Sequence, residues 1–381
     1  MKKIAIFGGS FDPVHTEHVR LVEAAIERLG LDRLFVMPAF APPHKRGKTL
    51  APDTYRLEMC RLAFSHLDKV TISDYEITQG GTSYTYRTCR HFRLEYPDAE
   101  IFWLVGTDML RDFPSWKEPQ DILQNATLGV CARNETDGWE QDEQAAFEKR
   151  FGKRFALVGY NGAPVSSTEI RLLTAAGQSI DGLVPQKVAE YIATKGLYAI
   201  PFAKEALSLE KAERAAHSVR VARLAMAKAK ELHLDERSVL TAALLHDCAK
   251  NLPANSAYLD GFTPPTVWGE IPAPVLHQYQ GAHVAEKHFG VSDLNVLNAI
   301  RYHTSGRPNM CEMEKLIFLA DMLEDERHYT GVDELRTLFW DKGLDTCLAE
   351  ALYQTLLFLE SKGGAIYPLT RAAYEFYKDK K

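Results

Sequence analysis

Apolar positions change their period about halfway along the chain. In the first half, short and largely apolar runs recur at Ile4–Phe7, Leu34–Met37, Val70–Ile72, Ile101–Val105, Leu128–Cys131 and Ala156–Val158. Runs of that length read as buried strands. Between them, residues 19–29, 55–64, 84–95, 167–176 and 186–195 read as helices, with Val22 and Ile26 on one face of the first. Residues 38–48, with Pro38, Pro42 and Pro43, read as a loop. This alternation predicts an α/β domain built on a doubly wound parallel sheet with helices on both faces. Ligands of such sheets gather beyond the carboxyl ends of the strands, where the strand order reverses. From Ala199-Ile200-Pro201 onward the pattern is helical throughout and predicts an all-α bundle. We therefore expect two domains, 1–200 and 201–381, with no repeat and no low-complexity linker.

Composition narrows the function classes. The 381 residues suit two ordinary globular domains. A net charge of −6 and a pI near 6.1 give no global field for nucleic acid or an anionic membrane, so any anion site must be local. The six cysteines are scattered without a C-x-x-C pair, as expected of free thiols in a reducing cytoplasm. Lys2-Lys3 followed by apolar residues resembles a signal peptide, but the run stops at Gly8. No stretch is long enough for a membrane span. The expectation is a cytoplasmic protein; whether it forms a homo-oligomer is left open.

Candidate chemistry in the first half centres on Ile4-Ala5-Ile6-Phe7-Gly8-Gly9-Ser10-Phe11-Asp12-Pro13-Val14-His15-Thr16-Glu17-His18. Gly8 and Gly9 are expected to end the strand, supply positive φ and let a ligand approach. His15 and His18, three apart where a helix begins, can share the face of its first turn. Glycines, imidazoles and a helix N-terminus make a cradle for phosphates. Lys45, in Pro42-Pro43-His44-Lys45, can fold over them. Asp108, in Val105-Gly106-Thr107-Asp108, can accept from a ribose at a strand end. Ser166 and Glu169 form a capping-box pattern, and Ser167, Thr168 and Arg171 beside them suit a polyphosphate.

The string from Gly8 to His18 closely resembles the GGSFDPVHxGH signature of the nucleotidylyltransferase superfamily, with Glu17 where that signature has Gly. Ser166-Ser167-Thr168-Glu169-Ile170-Arg171 matches its second ATP motif. Gly81 to Thr85, Trp116 and Arg133 extend the match to the bacterial nicotinate mononucleotide adenylyltransferase family, over residues 1 to about 198. The resemblance implies a Rossmann-like fold and transfer of AMP from ATP to nicotinate mononucleotide, with magnesium bridging the phosphates. It places Gly8, Gly9, Ser10, Phe11, His18, Gly106, Asp108, Ser167, Thr168 and Arg171 at ATP. It places Ser83, Tyr84, Thr85, Trp116 and Arg133 at the mononucleotide. His15, His18, Lys45 and Arg171 would act on the transferred phosphates. Another phosphorylated acceptor, such as phosphopantetheine, is the alternative.

In the second half His217 shares a helix face with Val221, Leu224 and Ala225, and His246-Asp247, His277, His303 and Asp321 each follow an apolar helical run. Such groups are costly in a core without a shared partner, and mixed His and Asp ligands suit iron or manganese. Their order resembles the HD-domain phosphohydrolases. Ala299 to Pro308 and Phe318-Leu319-Ala320-Asp321 resemble the bacterial HD family of symmetrical diadenosine tetraphosphate hydrolases, over roughly 204 to 375. The resemblance implies one or two transition-metal ions on His217, His246, Asp247, His277, His303 and Asp321. Asp247 would bridge them and Lys250 and Arg307 would meet substrate phosphates, while a metal-activated water cleaves diadenosine tetraphosphate into two ADP. Cyclic dinucleotides or nucleoside triphosphates as substrates, or a metal-free regulatory role, are the alternatives.

Overall fold

The computed structural model describes residues 1–42, 50–133, 139–160, 162–364 and 366–380. The chain divides into two compact units, Met1–Arg171 with Ile180–Leu197, and Leu172–Ser179 with Tyr198–Lys381. No helix among the described residues is long and apolar enough to cross a membrane.

The first unit is a parallel sheet, as the alternation predicts. Its strands are β1 (Lys3–Gly9), β2 (Arg33–Pro38), β3 (Val70–Ile72), β4 (Glu100–Gly106), β5 (Thr127–Arg133) and β6 (Ala156–Tyr160), in the order β3-β2-β1-β4-β5-β6. β1 lies inside the sheet, with Ala5 opposite Leu34 of β2 and Phe102 of β4. Its two faces are both covered, which is why Ile4, Ala5 and Ile6 are all apolar and buried. Ile4, Ile6, Trp103, Val105, Leu128 and Val130 form a core with Phe92, Phe113 and Phe147. The strand order reverses between β1 and β4, so the crevice beyond their carboxyl ends is the site this topology offers a ligand.

The helices of this unit are α1 (Thr16–Leu29), α2 (Asp53–Phe64), α3 (Tyr75–Gln79), α4 (Thr85–Glu95), α5 (Thr107–Asp112), α6 (Pro119–Asn125), α7 (Trp139–Phe151), the first five residues of α8 (Ser167–Ala175) and α9 (Gln186–Lys195). The apolar pattern missed α3, α5, α6 and α7. Three of them are short. α7 is otherwise polar, and its inward face rests largely on Phe147 and Phe151, whose rings meet Phe113 and, for Phe147, Phe155.

The glycine expectation is corrected. β1 runs through Gly9, and neither Gly8 nor Gly9 has positive φ; the left-handed residue is Phe11, at φ 47°. Both positions need glycine for room. A Cβ on Gly8 would stand 2.9 Å from the Trp103 ring, and one on Gly9 3.1 Å from that of Phe11.

The second unit is helical: α10 (Ala203–Ser208), α11 (Ala212–Ala229), α12 (Glu236–Leu245), α13 (Ala273–Lys287), α14 (Leu294–Tyr302), α15 (Glu312–Leu323), α16 (Val332–Asp341), α17 (Leu344–Ser361) and α18 (Pro368–Tyr377). α12 and α15 are buried over most of their length, Val239 to Leu245 and Met313 to Ala320, the latter including Glu314 and Lys315, as suits helices central to a bundle. Leu172–Ser179, which the sequence pattern left with the first domain, belongs here because Leu172, Ala175 and Ala176 enter this core.

Candidate functional sites

In the first unit the β1–α1 loop holds two imidazoles at a helix start. His15 caps α1, and its backbone N–H donates to His18 Nδ1 at 3.1 Å. The neutral His18 ring must therefore carry its proton on Nε2, leaving that atom a donor. The two rings stack with centroids 3.6 Å apart, and the buried Phe11 meets His18 edge-on at 5.1 Å. The Thr16 and His18 N–H groups are themselves taken, by the Leu183 and His15 carbonyls at 3.0 Å each, so the anion-seeking features here are the His18 ring donor and the positive end of the α1 dipole.

The SSTEIR stretch reaches this loop from the far end of the unit. Ser167 Oγ donates to the Pro13 carbonyl at 2.8 Å. Arg171 donates through Nη1 to the Asp12 carbonyl at 2.6 Å and through Nη2 to Thr168 Oγ1 at 3.3 Å. Ser166 Oγ accepts from the Glu169 backbone N–H at 3.2 Å, as a cap. At the end of β4 a Cβ on Gly106 would fall 2.6 Å from Asp108 Oδ1, so Gly106 makes room for that carboxylate on the first turn of α5.

Ser83 Oγ accepts from the Phe40 and Ala41 backbone N–H groups at 3.0 and 3.4 Å, docking residues 82–85 beyond β2. Tyr84 caps α4, with Thr85 its first residue, and Lys117 Nζ lies 4.7 Å from the Tyr84 ring. That contact brings Tyr84 next to the neighbour of Trp116, a half-buried indole 5.4 Å from Phe113. Arg133 ends β5. Its side chain, and all of Lys45, lie outside the described residues.

Glu17 was marked in the sequence as the departure from the signature, whereas Arg56 was not legible beforehand. Glu17 is buried, and Oε1 is turned onto Arg20 Nη1 at 2.8 Å. Arg56 is fully buried and donates to the Ser10 carbonyl at 2.8 Å and the Ala51 carbonyl at 3.0 Å while pairing with Asp53. An arginine on one helix face with Cys60 and Ala63 was the available signal.

In the second unit α11, α12, α13, α14 and α15 converge on a buried cluster. His217 Nε2 lies 2.8 Å from Asp321 Oδ1, and His246 Nε2 lies 3.6 Å from Asp247 Oδ2 and 3.9 Å from Asp321 Oδ1. His277 Nε2 lies 3.1 Å and His303 Nε2 3.4 Å from Asp247 Oδ1. The donor atoms form two lobes, His217, His246 and Asp247 with Asp321 alongside, and Asp247, His277 and His303, bridged by a third triad of His246, His303 and Asp321; Asp247, His246 and His303 each belong to two of the three triads.

The cluster fits a divalent metal on its own geometry. His246 Nδ1 donates to the Ala243 carbonyl at 2.7 Å and His303 Nδ1 to the Ile300 carbonyl at 2.8 Å, while His217 Nδ1 meets Glu324 at 3.0 Å. With those protons committed outward, each Nε2 turns a lone pair inward, the usual outer bracing of metal-bound histidines. His277 Nε2 and His303 Nε2 are 3.0 Å apart, a contact that a shared cation satisfies. Each lobe is also met by a positive group of the chain, Lys250 Nζ at 2.9 Å from His277 Nε2 and Arg327 Nη2 at 2.6 Å from Asp321 Oδ1.

Electrostatics agree. Burial pushes His246 and His277 down to about 4, keeping both neutral. Burial alone would raise Asp247 and Asp321, but the imidazoles around them hold both well below the usual carboxylate range. Burial likewise opposes the charge on Glu324, but Arg220 and His217 hold its pKa at about 2. Neutral imidazoles around fixed carboxylates favour a cation.

A cavity of about 540 Å³ adjoins the cluster, lined by His217 together with Lys211, Arg214, Arg220, Lys250 and Arg327. Arg214 Nη1 reaches Asp247 Oδ2 at 3.0 Å. Arg307 is not among the lining residues; it pairs in two places with Glu314, both at 2.7 Å. Arg214, Arg327 and Glu324 were missed, although helical spacing from His217 pointed to Arg214 and from Asp321 to Glu324.

Glu210, buried beside α11, accepts from Ser218 Oγ at 3.0 Å, and burial pushes its pKa up to about 8. The folded state thus keeps a proton that the unfolded chain loses above about pH 4.5. The associated stability is fully present below that pH and is lost as pH rises through 8. We expect Glu210→Gln to flatten the fall in Tm between pH 6 and 9, measured by thermal denaturation; an unchanged slope would show that Glu210 is not the titrating group.

The chain matches the cytidylyltransferase-like family over residues 6–173 and the HD-domain family over residues 214–325. A probable nicotinate-nucleotide adenylyltransferase/Ap4A hydrolase of Mycoplasma genitalium is 29% identical over 326 residues, covering 86% of this chain and 88% of that one. A probable nicotinate-nucleotide adenylyltransferase of Clostridium tetani is 37% identical over 202 residues, covering 52% of this chain and 100% of the relative. Among solved structures, an HD superfamily hydrolase from Clostridium acetobutylicum, described as involved in NAD metabolism, is 32% identical with a TM-score of 0.42, over 47% of this chain and 96% of that one.

Proposed function

Because the chain belongs to the nicotinate-nucleotide adenylyltransferase family and carries an HD domain behind that part, we propose that it is a bifunctional enzyme. One unit transfers AMP from ATP to nicotinate mononucleotide, releasing pyrophosphate. The other cleaves diadenosine tetraphosphate symmetrically into two ADP. The observation that carries this reading is that one chain holds an anion-seeking site, where Ser167 and Arg171 are tied to the loop beside the stacked His15 and His18, and a separate cation-seeking site around Asp247. The free cysteines suit a cytoplasmic setting.

In the transferase the mononucleotide phosphate attacks the α-phosphorus of ATP in line, and no protein nucleophile is needed. His18 Nε2–H, at the positive end of the α1 dipole, donates to the oxygens on which charge develops. Ser167, Thr168, Arg171 and Lys45 hold the outer phosphates, and magnesium entering with ATP would supply further neutralisation of their charge. Tyr84, Trp116 and Arg133 seat the acceptor.

In the hydrolase, His217, His246 and Asp321 would hold one divalent cation and His277 and His303 a second, with Asp247 shared; iron and manganese suit this donor set. Such a cation supplies Lewis acidity and a more acidic water. Lys250 and Arg214 neutralise substrate phosphates, and Arg327 orients Asp321.

The full chain should discriminate between two phosphoanhydrides. Symmetrical cleavage needs two phosphates on each side of the attacked bond, and nicotinate adenine dinucleotide has only two in all. Each lost charge-assisted contact costs roughly 1.5–3 kcal/mol, so two lost contacts give about a hundredfold or more. Rates of ADP release from the tetraphosphate and of AMP release from the dinucleotide, at equal concentration, test this; comparable rates refute it.

A further inference from the structure

Resting on the reading of the first unit as an adenylyltransferase, we propose that Glu76 is a positioning residue for the acceptor mononucleotide. It acts through Ser83 and Thr88, which its carboxylate ties down on either side of the segment that seats the acceptor. No step of the proposed transfer uses Glu76.

Glu76 stands on α3 and is 7% exposed. A carboxylate so deeply buried is costly unless hydrogen-bond donors meet it. Thr88 Oγ1, also buried, donates to Glu76 Oε1 at 2.7 Å, and the Ser83 hydroxyl donates to the same carboxylate.

The local backbone brings these groups together. The Gly80 N–H closes α3 on the Glu76 carbonyl at 3.1 Å. Gly80 and Gly81 lie at φ 65° and 69°, a left-handed pair that glycine adopts freely. The chain so doubles back, and the Ser83 N–H donates to the Ala41 carbonyl at 3.0 Å.

Proton counting gives Glu76 its leverage. Ser83 Oγ accepts from the Phe40 and Ala41 N–H groups, and its single proton is left for Glu76. The carboxylate thus sets the hydroxyl rotor that keeps the Ser83 lone pairs turned to residues 40 and 41. Thr88 lies on α4, one turn beyond Thr85. Ser83 and Thr88 therefore bracket Tyr84 and Thr85, and one buried group grips both sides of that pair. His18, Ser167 and Arg171, on the ATP side, are tied instead to residues 12–15.

Glu76→Gln separates this role from a merely structural one. It keeps the volume but turns amide N–H groups toward hydroxyls that need acceptors. In the full chain with magnesium it should raise KM for nicotinate mononucleotide about tenfold, the order of one lost buried hydrogen bond, with kcat and the KM for ATP within about twofold of wild type. In a Ser83→Ala background the same substitution should add about twofold at most, since one hydroxyl it acts through is gone. Hydrogen exchange should quicken in a peptide covering residues 81–88. An unchanged mononucleotide KM, equal rises for both substrates, or effects that multiply in full in the double variant overturn the proposal. If Glu76→Gln does not fold, Ser83→Ala alone must show the KM rise and the faster exchange, and normal values there refute it. If the wild-type chain makes no dinucleotide, the adenylyltransferase reading fails, and exchange in residues 81–88 still decides whether Glu76 holds that segment.

Discussion

His18→Ala lowers the turnover of dinucleotide synthesis by about 10²–10³-fold while leaving the Tm and the KM for ATP nearly unchanged. The expectation comes from the ring's fixed hydrogen bonding. Nδ1 is occupied by the His15 backbone N–H at 3.1 Å, and Phe11 holds the ring edge-on. Nε2–H is therefore a preorganised donor at the start of α1, beside the loop that Arg171 and Ser167 secure. Losing one donor of that kind to a developing oxyanion costs about 10²–10³ in kcat. The loss falls on kcat because the interaction strengthens as charge builds. Steady-state kinetics with ATP and nicotinate mononucleotide check this. Turnover near that of the wild type would remove His18 from the mechanism.

Asp247→Ala abolishes phosphohydrolysis, lowers the bound metal and leaves dinucleotide synthesis intact. Asp247 belongs to two of the three overlapping triads, as His246 and His303 also do, and is the carboxylate shared by both lobes, with His277, His303 and Arg214 around it at 3.1, 3.4 and 3.0 Å. Removing it takes an anionic donor from each lobe and leaves the buried face of Arg214 without its carboxylate. Asp247→Asn separates charge from shape, since it keeps the volume and one oxygen but not the anion. It should retain the fold and still lose the metal. Elemental analysis and ADP release measure the effect, and nicotinate adenine dinucleotide formation on the same sample serves as the folding control. Unchanged metal and hydrolysis in Asp247→Ala would refute the assignment of Asp247 as a ligand.

Much of the architecture was legible because it is written locally. Strand runs such as Ile4–Phe7 and Ile101–Val105 carry their own burial, so alternation alone predicts a parallel sheet with covered faces. Val239-Leu240 and Ala242 to Leu245 on α12 and Leu316 to Ala320 on α15 are apolar runs, so the delivery of His246, Asp247 and Asp321, which follow them, into a buried place was legible in the sequence. The β1–α1 loop is contiguous in sequence, and its motif could be read whole. α7 escaped because Phe147 and Phe151 are nearly all of its apolar pattern, too little for a period to show.

What only the tertiary structure decided is which distant groups meet. The bonds from Ser167 to Pro13 and from Arg171 to Asp12 join residues 154 and 159 apart. The reason for Gly8 and Gly9 is the bulk of Trp103 and Phe11, invisible until the side chains are packed. Arg56 looks like a solvated helix arginine until its guanidinium is found buried on the Ser10 carbonyl. Around the metal-competent cluster, Arg214 and Arg327 stand beside Lys250, whereas Arg307 is committed to Glu314. Residue type and period along the chain report burial and element type, since both depend on near neighbours. The partner of a charge depends on the packing of elements far apart in sequence, and only the fold sets that.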